Sequence, residues 1–171
     1  DIRVVPTTAM HASLKIRGID SIIIPDEAGV LFKSSQSQKG EVCELLGVPK
    51  SSTLFVVPVY RNGIKISEYL HKFVGQFPDS VVIVVFGDNK TLANVENEFK
   101  NIGNVKVFPL YTDLYPQILG CADLGFAYSG STHYFDVSQE ITEMAYAGVP
   151  IVCRRDGCVH EWIQDHVTGF I

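Results

Sequence analysis

The sequence contains little cysteine. The 171 residues include four cysteines at irregular spacing, namely Cys43, Cys121, Cys153 and Cys158. This excludes a disulfide-rich scaffold, and the apolar runs around Cys121 and Cys153 predict buried thiols in a reducing compartment. The sequence also lacks a signal peptide and any run of 18 apolar residues, so we expect no transmembrane segment.

Several catalytic and metal-binding motifs are absent as well. Neither GxGxxG nor GxxxxGK[ST] occurs, which excludes the usual dinucleotide fingerprint and the P-loop. No glycine-flanked serine of the nucleophile-elbow type is found. His160 and His166 are six residues apart, whereas two zinc ligands on one helix face need a spacing of four. We therefore expect no metal site.

Charged residues make up only 19% of the chain, against 46% hydrophobic residues. Fourteen Lys and Arg against nineteen Asp and Glu leave a net charge of −5. A nucleic-acid binder needs a basic surface, so we expect no nucleic-acid partner, although a local phosphate site remains compatible with this charge. The length allows one domain, or one domain and a small extension.

Apolar runs alternate with segments of helical period along most of the chain. The runs are continuous and rich in Val, Ile and Phe, as in strands that are buried on both faces: Leu54–Val59, Val81–Phe86, Val105–Phe108, Leu124–Tyr128 and Val149–Cys153. The predicted helices are Ile64–Gly75, Lys90–Ile102, Leu114–Gly120 and Val137–Ala147. The alternation predicts an α/β fold, a Rossmann-like doubly wound parallel sheet with helices on both faces.

The first fifty residues have a different pattern. Short strands are predicted at Val4–Val5 and Ile22–Ile24, and a helix at Thr7–Gly18 with Thr7 or Thr8 as its cap. Ser34–Gly40 is polar and predicts a loop, and Gln38–Gly47 predicts a short helix. The start at Asp1 without Met, and a strand-like Gly169-Phe170-Ile171, suggest a piece of a longer protein.

Functional residues of an open parallel sheet are expected just after the carboxyl ends of its strands. After the first long strand, Gly63 lets the backbone approach a ligand, and Arg61 and Lys65 add positive charge beside a helix N-terminus. These residues predict a phosphate site, although solvated basic residues on an ordinary turn would look the same. The loop Ser129–Asp136 is rich in hydroxyl groups and contains His133, which fits either a binding loop or a surface loop.

Glu140 and Glu143 lie three residues apart and so share a helix face. Asp136 or Ser138 caps this predicted helix, and Gly148 ends it. Acids near a helix N-terminus are favoured by the helix dipole alone. The functional interpretation is that Glu143 accepts hydrogen bonds from sugar hydroxyls, because an ionised carboxylate is purely an acceptor.

The order of these segments resembles the C-terminal half of the group-1 glycosyltransferases of the two-domain GT-B architecture. Glu143-Met-Ala-Tyr-Ala-Gly-Val-Pro-Ile-Val152 is similar to the family block Glu-Ala-Met-Ala-x-Gly-x-Pro-Val-Val. Gly157–Glu161 resembles its Gly-x-x-x-Glu turn, and His166–Ile171 its closing segment. Ile22-Ile-Ile-Pro25 resembles the Ile-Pro segment that leads into the second domain, so the resemblance covers nearly the whole chain.

The resemblance implies transfer of a sugar from a nucleoside-diphosphate sugar, with no metal or other cofactor required. Residues 1–20 would end or link from a preceding domain, and 21–171 would form the donor-binding domain, truncated at its C-terminus. Glu143 takes the place of the family's ribose-binding acid. The predicted catalytic residues are Asp136, Arg61 and Lys65, and the predicted donor-binding residues are Gly63, Gly87, Pro109, Leu110, Ser129, His133, Glu140 and Glu143.

Two departures from the family pattern keep other functions open. Pro58 stands at the family's Arg position, and Phe135 stands at the position of the partner acid, with Asp136 next to it. Both favour a non-catalytic scaffold of a glycosylation or secretion complex as the alternative, and a sugar-nucleotide epimerase shares the fold. For the enzyme we expect the acceptor site on a missing N-terminal domain, a cytoplasmic location, and any peripheral membrane contact through that missing part.

Overall fold

The computed structural model describes residues 3–25, 38–59, 66–76, 80–110, 112–127, 137–155 and 157–171. The strands are β1 (Arg3–Val5), β2 (Ser21–Ile23), β3 (Thr53–Pro58), β4 (Val81–Gly87), β5 (Val105–Pro109), β6 (Leu124–Ala127), β7 (Ile151–Cys153) and β8 (Gly169–Phe170). The α-helices are α1 (Thr8–Ile16), α2 (Lys39–Leu46), α3 (Ile66–Val74), α4 (Asn89–Phe99), α5 (Leu114–Cys121) and α6 (Gln139–Ala147), and a short 3₁₀ helix covers Val159–Glu161.

Six of these strands form one sheet in the order β5-β4-β3-β6-β7-β8. Every neighbouring pair is parallel, and β3 and β4 stay in register over six residues, from Thr53 opposite Val81 to Pro58 opposite Phe86. The chain builds outward from β3 to β5 and then returns to the other side of β3 with β6. The predicted doubly wound α/β fold is therefore confirmed, and strand order reverses between β3 and β6.

Both faces of the sheet are buried by helices. Alternate residues of β3 point to opposite faces, so Leu54 and Val56 pack with α2, α5 and α6, while Phe55 and Val57 pack with α3 and α4. Fully burying such a side chain contributes about 1.5–3 kcal/mol each. The two apolar clusters explain why the strand sequences are continuously hydrophobic rather than alternating.

Helix ends follow the predicted cap residues closely. Thr7 caps α1, its hydroxyl accepting a hydrogen bond from the Met10 N–H at 3.2 Å. Gly47 ends α2 with φ 66°, and Gly148 ends α6 with φ 72°. Glycine adopts this left-handed backbone without steric cost, so both helices stop where the sequence predicts.

Several predicted boundaries were wrong, including the following two. Lys39 and Gly40 lie in α2 and not in the polar loop predicted for Ser34–Gly40, whose residues up to 37 are outside the described residues. The strand predicted from Val149 begins at Ile151. The Val149 N–H closes the end of α6 by donating to the Met144 carbonyl at 3.0 Å, and Pro150 has no N–H to donate to a neighbouring strand.

Strand β1, helix α1 and strand β2 form the N-terminal unit, in which β1 and β2 pair in parallel as a sheet of their own. Val4, Ile22 and Ile24 of this unit are about half exposed. The unit is attached to the far end of the chain by Glu161, whose carboxylate accepts the Thr8 N–H at 2.8 Å and the Ala9 N–H at 3.2 Å. Partial burial alone would raise the pKa of Glu161, but these hydrogen bonds and the nearby His160 bring it below its ordinary value of 4.5.

Candidate functional site

The candidate site lies at the carboxyl edge of the sheet, where strand order reverses between β3 and β6. Ligands of open parallel sheets bind in the crevice at such a reversal. The segments 60–65 and 128–136, which come after β3 and β6 in the sequence, lie outside the described residues. Six predicted site residues fall in these segments and stay predictions: Arg61, Gly63, Lys65, Ser129, His133 and Asp136.

Gly87, Pro109 and Leu110 lie together beside the crevice. Gly87 ends β4 opposite Pro109 of β5, and the Leu110 N–H donates to the Gly87 carbonyl at 3.0 Å. The Leu110 side chain is buried in the core, whereas Pro109 is exposed. These residues therefore offer one exposed proline ring to a ligand, because the Leu110 N–H and the Gly87 carbonyl are paired with each other.

Asp88 follows Gly87 and caps α4. Its carboxylate accepts the Thr91 N–H at 2.8 Å. This hydrogen bond is the main reason that the pKa of Asp88 lies below its usual value, with smaller contributions from the Thr91 hydroxyl and Lys90. Asp88 therefore acts as the N-cap of α4.

Glu143 lies in the second turn of α6 and is only 5% exposed. Its Oε2 accepts the Tyr115 hydroxyl at 2.7 Å, and its Oε1 accepts the Gln139 side-chain amide at 2.9 Å. Glu140, on the same face one turn earlier, is 6% exposed. Acids are rarely buried unless polar groups surround them, so this part of α6 is built around its carboxylates.

Tyr115 is itself held firmly. It lies in the first turn of α5, is 4% exposed, and its ring packs edge-on against Phe86 of β4 with centroids 4.8 Å apart. Its N–H donates to the Thr112 carbonyl, and the Thr112 hydroxyl donates to the carbonyl of Pro109. The carboxyl ends of β4 and β5 are thus connected to Glu143 through a short polar and aromatic chain.

The N-terminus of α6 points toward the same edge, because this helix follows β6. Ser138 is the N-cap in extended backbone, φ −68° and ψ 145°. Its hydroxyl oxygen is buried and has no hydrogen-bond partner among the described residues. A helix N-terminus carries partial positive charge and unpaired N–H groups, which suit an anion.

A second concavity, a cavity of about 500 Å³, lies at the end of β7 and is lined by Arg155, His160 and Asp165 among others. The Arg155 guanidinium and the Asp165 carboxylate are paired at 3.4 Å. This cavity is formed by residues that follow β7, not by those at the strand reversal, so we do not assign it to the candidate site.

Three contacts were missed by sequence reasoning: Tyr115 and Gln139 on Glu143, and Glu161 on α1. Gln139 precedes Glu143 by four residues, a spacing that brings side chains together on a helix and could have indicated the contact. Tyr115 and Glu161 reach residues far away in sequence, and no local pattern marks such pairs.

Among the described residues, no group of three or more His, Cys, Asp or Glu is arranged to hold a metal ion, and no helix has the length and apolarity needed to cross a membrane.

The parallel sheet, its reversal and the helices on both faces define a Rossmann-like α/β domain. Solved glycosyltransferases of the GT-B architecture share this fold over almost the whole chain. HepE from Anabaena, solved with UDP and glucose, superimposes with a TM-score of 0.74 at 21% identity, covering 98% of this chain and 48% of that protein. The predicted resemblance to GT-B glycosyltransferases is confirmed at the level of the fold.

Two further solved structures have similar values. Sucrose-phosphate synthase from Thermosynechococcus elongatus matches with a TM-score of 0.72 at 14% identity, over 99% of this chain and 44% of that one. A glycosyltransferase from Rickettsia africae matches with a TM-score of 0.72 at 18% identity, over 98% and 48%. The chain therefore spans about half the length of these proteins.

In sequence, the chain is similar to the chitobiosyldiphosphodolichol beta-mannosyltransferase of Candida albicans. The two are 31% identical over 96 residues, which are 53% of this chain and 21% of that enzyme. No protein-family model matches the chain. The comparisons thus identify a glycosyltransferase-like domain.

Proposed function

We propose that this chain is the donor-binding domain of a glycosyltransferase and holds a nucleoside-diphosphate sugar. The observation that carries the proposal is the buried carboxylate of Glu143, on the helix that follows the strand at the reversal. The fold supports it, because solved HepE structures of the same fold contain UDP, UDP-glucose, or UDP with glucose. UDP is therefore the first nucleotide to test.

Glu143 is suited to bind a ribose. Its two oxygens accept hydrogen bonds from Tyr115 and Gln139, and an ionised carboxylate is purely an acceptor. In our proposal two neighbouring ribose hydroxyls replace the amide of Gln139, whose exposed side chain can turn into solvent. A buried carboxylate binds such hydroxyls strongly because little water competes for it.

The N-terminus of α6 is suited to bind the diphosphate. Its dipole favours negative charge, and the buried Ser138 hydroxyl, without a partner among the described residues, is a ready donor. In our proposal Arg61 and Lys65 stabilise the charge that develops on the leaving diphosphate, as electrostatic catalysis of glycosyl transfer requires. Asp136, Ser129 and His133 contact the sugar or phosphate, and Gly63 allows close approach of the backbone.

The base would lie against the exposed ring of Pro109, beside the backbone of Gly87 and Leu110. The Leu110 N–H and the Gly87 carbonyl already bond to each other, so this contact would be made by apolar packing, as is common for the walls of ligand sites. Glu140, on the same helix face as Glu143, would also belong to the donor site. This chemistry demands no metal.

The whole enzyme would be a cytoplasmic group-1 hexosyltransferase with a preceding domain that binds the acceptor. The chain corresponds to 48% of HepE, and residues 1–20, which include the exposed Val4 and Ile16, would belong to or link from that domain. We therefore expect the isolated chain to bind a nucleotide and to transfer little sugar.

A thermal-shift titration with UDP, GDP and ADP tests the proposal. A ligand at 100 times its Kd stabilises the folded chain by about 2.7 kcal/mol, which raises its Tm measurably. Absence of a shift with all three nucleotides at millimolar concentration would favour the non-catalytic scaffold, as the residues Pro58 and Phe135 at the family's Arg and acid positions already suggest.

Glu143→Ala tests the site itself. We expect it to weaken nucleotide binding by about 1.5–3 kcal/mol, the range for a hydrogen bond to a charged group. The matched control is Glu96→Ala, which removes an exposed glutamate from α4 and should leave affinity unchanged. Equal affinities of the two folded variants, measured by isothermal titration calorimetry, would remove Glu143 from the site.

A further inference from the structure

Two donors that bind Glu143, Gln139 and Tyr115, are of different kinds. Gln139 lies on the same helix, four residues earlier, and is exposed. Tyr115 comes from α5, is buried, and reaches across to α6 at 2.7 Å. The Oε1 donor can therefore move away into solvent, whereas the Oε2 donor is fixed by the body of the protein.

The position of the Tyr115 hydroxyl is set by the sheet and not by α6. Its ring packs edge-on against Phe86, which is fully buried on β4, and Phe86 in turn packs against Phe108 of β5 with centroids 5.9 Å apart. Edge-to-face packing of this kind fixes ring orientation. A side chain held in this way delivers its O–H to one point in space, which orients the carboxylate that accepts it.

We propose that Tyr115 is a positioning residue that orients Glu143 for the ribose of the nucleotide, while Gln139 occupies the Oε1 side only until the ligand arrives. The proposal rests on the proposed function. Tyr115 donates to Oε2 and holds the plane of the carboxylate, so Oε1 is presented to the two ribose hydroxyls. A single preset orientation spares the ligand the cost of ordering the side chain.

The test measures affinity for the tightest binder among UDP, GDP and ADP and for its 2′,3′-dideoxy form. We expect Tyr115→Phe, which keeps the ring, to weaken binding of the ribonucleotide about 4- to 12-fold, in line with the cost of ordering one side chain on binding. The affinity for the dideoxy form, which has no ribose hydroxyls for Glu143, should change less than about twofold. Gln139→Ala should keep ribonucleotide affinity within about threefold of the wild type.

Other results overturn the proposal. If Tyr115 has a merely structural role, Tyr115→Phe will weaken the binding of both nucleotides equally. The proposal is also excluded if Tyr115→Phe causes no loss of ribonucleotide affinity, or if Gln139→Ala causes an equal loss. If Glu143→Ala still weakens the ribonucleotide in those cases, the donor-binding proposal survives and only the role of Tyr115 is lost. If Glu143→Ala changes nothing, both fail.

The Glu143→Ala background provides an independent check. With no carboxylate to orient, Tyr115→Phe should have no further effect on ribonucleotide affinity there, and an additional loss would contradict the proposal. If Tyr115→Phe alone does not fold, the double variant is measured instead, because it contains no buried carboxylate at position 143 that would lack its hydrogen-bond donor. Thermal unfolding of each variant shows that it is folded at the temperature of the titration.

Discussion

At the scale of single residues, close packing makes some glycines irreplaceable for reasons other than backbone conformation. A Cβ added to Gly169 of β8 would lie 2.2 Å from the Ile151 carbonyl oxygen and 3.0 Å from Ile163 Cγ2. The nearest atom belongs to the backbone of β7, which cannot move without breaking the pairing of the two strands. The end of the sheet therefore has room at position 169 for a hydrogen atom but not for a methyl group.

Gly169→Ala is expected to destabilise the chain by about 2 kcal/mol or more, within or above the range for overpacking. Urea unfolding followed by circular dichroism measures the change. Gly103→Ala is the control, because nothing lies within 4 Å of its added Cβ and its backbone needs no special φ. An equal urea midpoint for Gly169→Ala and the wild type would show that β7 and β8 move apart at little cost to accommodate the methyl group.

The candidate site was predictable only in part at this scale. Glu143 could be predicted as a candidate because a helix start, a shared acid face and a resemblance all point to it. The hydrogen bond from Tyr115 to Glu143 could not be predicted, because a tyrosine before a proline has no local pattern and its partner is 28 residues away. Long-range hydrogen bonds depend on how helices are set on the sheet, which local spacing does not encode.

At the scale of elements, the attachment of α1 to Glu161 is the clearest interaction between distant segments. The first four N–H groups of a helix have no partner inside it. In α1, those of Thr8 and Ala9 bind Glu161, and that of Met10 binds Thr7. The side chain of Glu161 thereby caps a helix that begins 153 residues earlier.

We predict that Glu161→Gln lowers stability at pH 7 by about 1 kcal/mol, as loss of other helix caps does. The folded-state pKa of Glu161 lies below its unfolded value, so its contribution is complete above about pH 4.5 and is lost as the pH falls through the folded pKa. The difference between wild type and variant should therefore shrink below pH 4.5.

Denaturant midpoints at pH 7, 4 and 3 measure this dependence. Glu96→Gln on α4 is the control, since this glutamate is exposed. A constant difference between wild type and Glu161→Gln down to pH 3 would contradict an ionic cap.

Elements were easier to predict than their ends. Strands β3 and β4 are found because both faces of the sheet are covered, which makes each strand a continuous apolar run. The end of α4 was placed at Ile102, three residues beyond Phe99, because a turn with Ile102 N–H bonded to the Phe99 carbonyl continues the apolar period. Such a turn is decided by hydrogen bonds and not by side-chain pattern.

At the scale of the whole molecule, stability is concentrated in the six-stranded sheet. β3 and β4 are covered on both faces, whereas β1 and β2 form a two-stranded pair with half-exposed side chains. A lone pair of short strands is only marginally stable. The N-terminal unit should therefore open locally without unfolding the rest.

Native-state hydrogen exchange tests this expectation. Amides of β1 and β2 should exchange at least about tenfold faster than those of β3 and β4, because they need only local opening. Glu161→Ala should accelerate exchange in α1 and leave β4 unchanged. Equal protection throughout the described residues would mean that the N-terminal unit and the sheet unfold as one.

The strand reversal also has a kinetic consequence. Within the first half, contacts such as that between Asn104 and Val81 join residues 23 apart, but the union of β3 with β6 brings Leu54 to Asp123, 69 residues away. Closing a loop three times longer costs about 1 kcal/mol more entropy, so the β3–β4–β5 half is expected to nucleate first. The crevice proposed for the nucleotide would then be among the last parts of the chain to assemble, and a newly made polypeptide would acquire its ligand only after that final step.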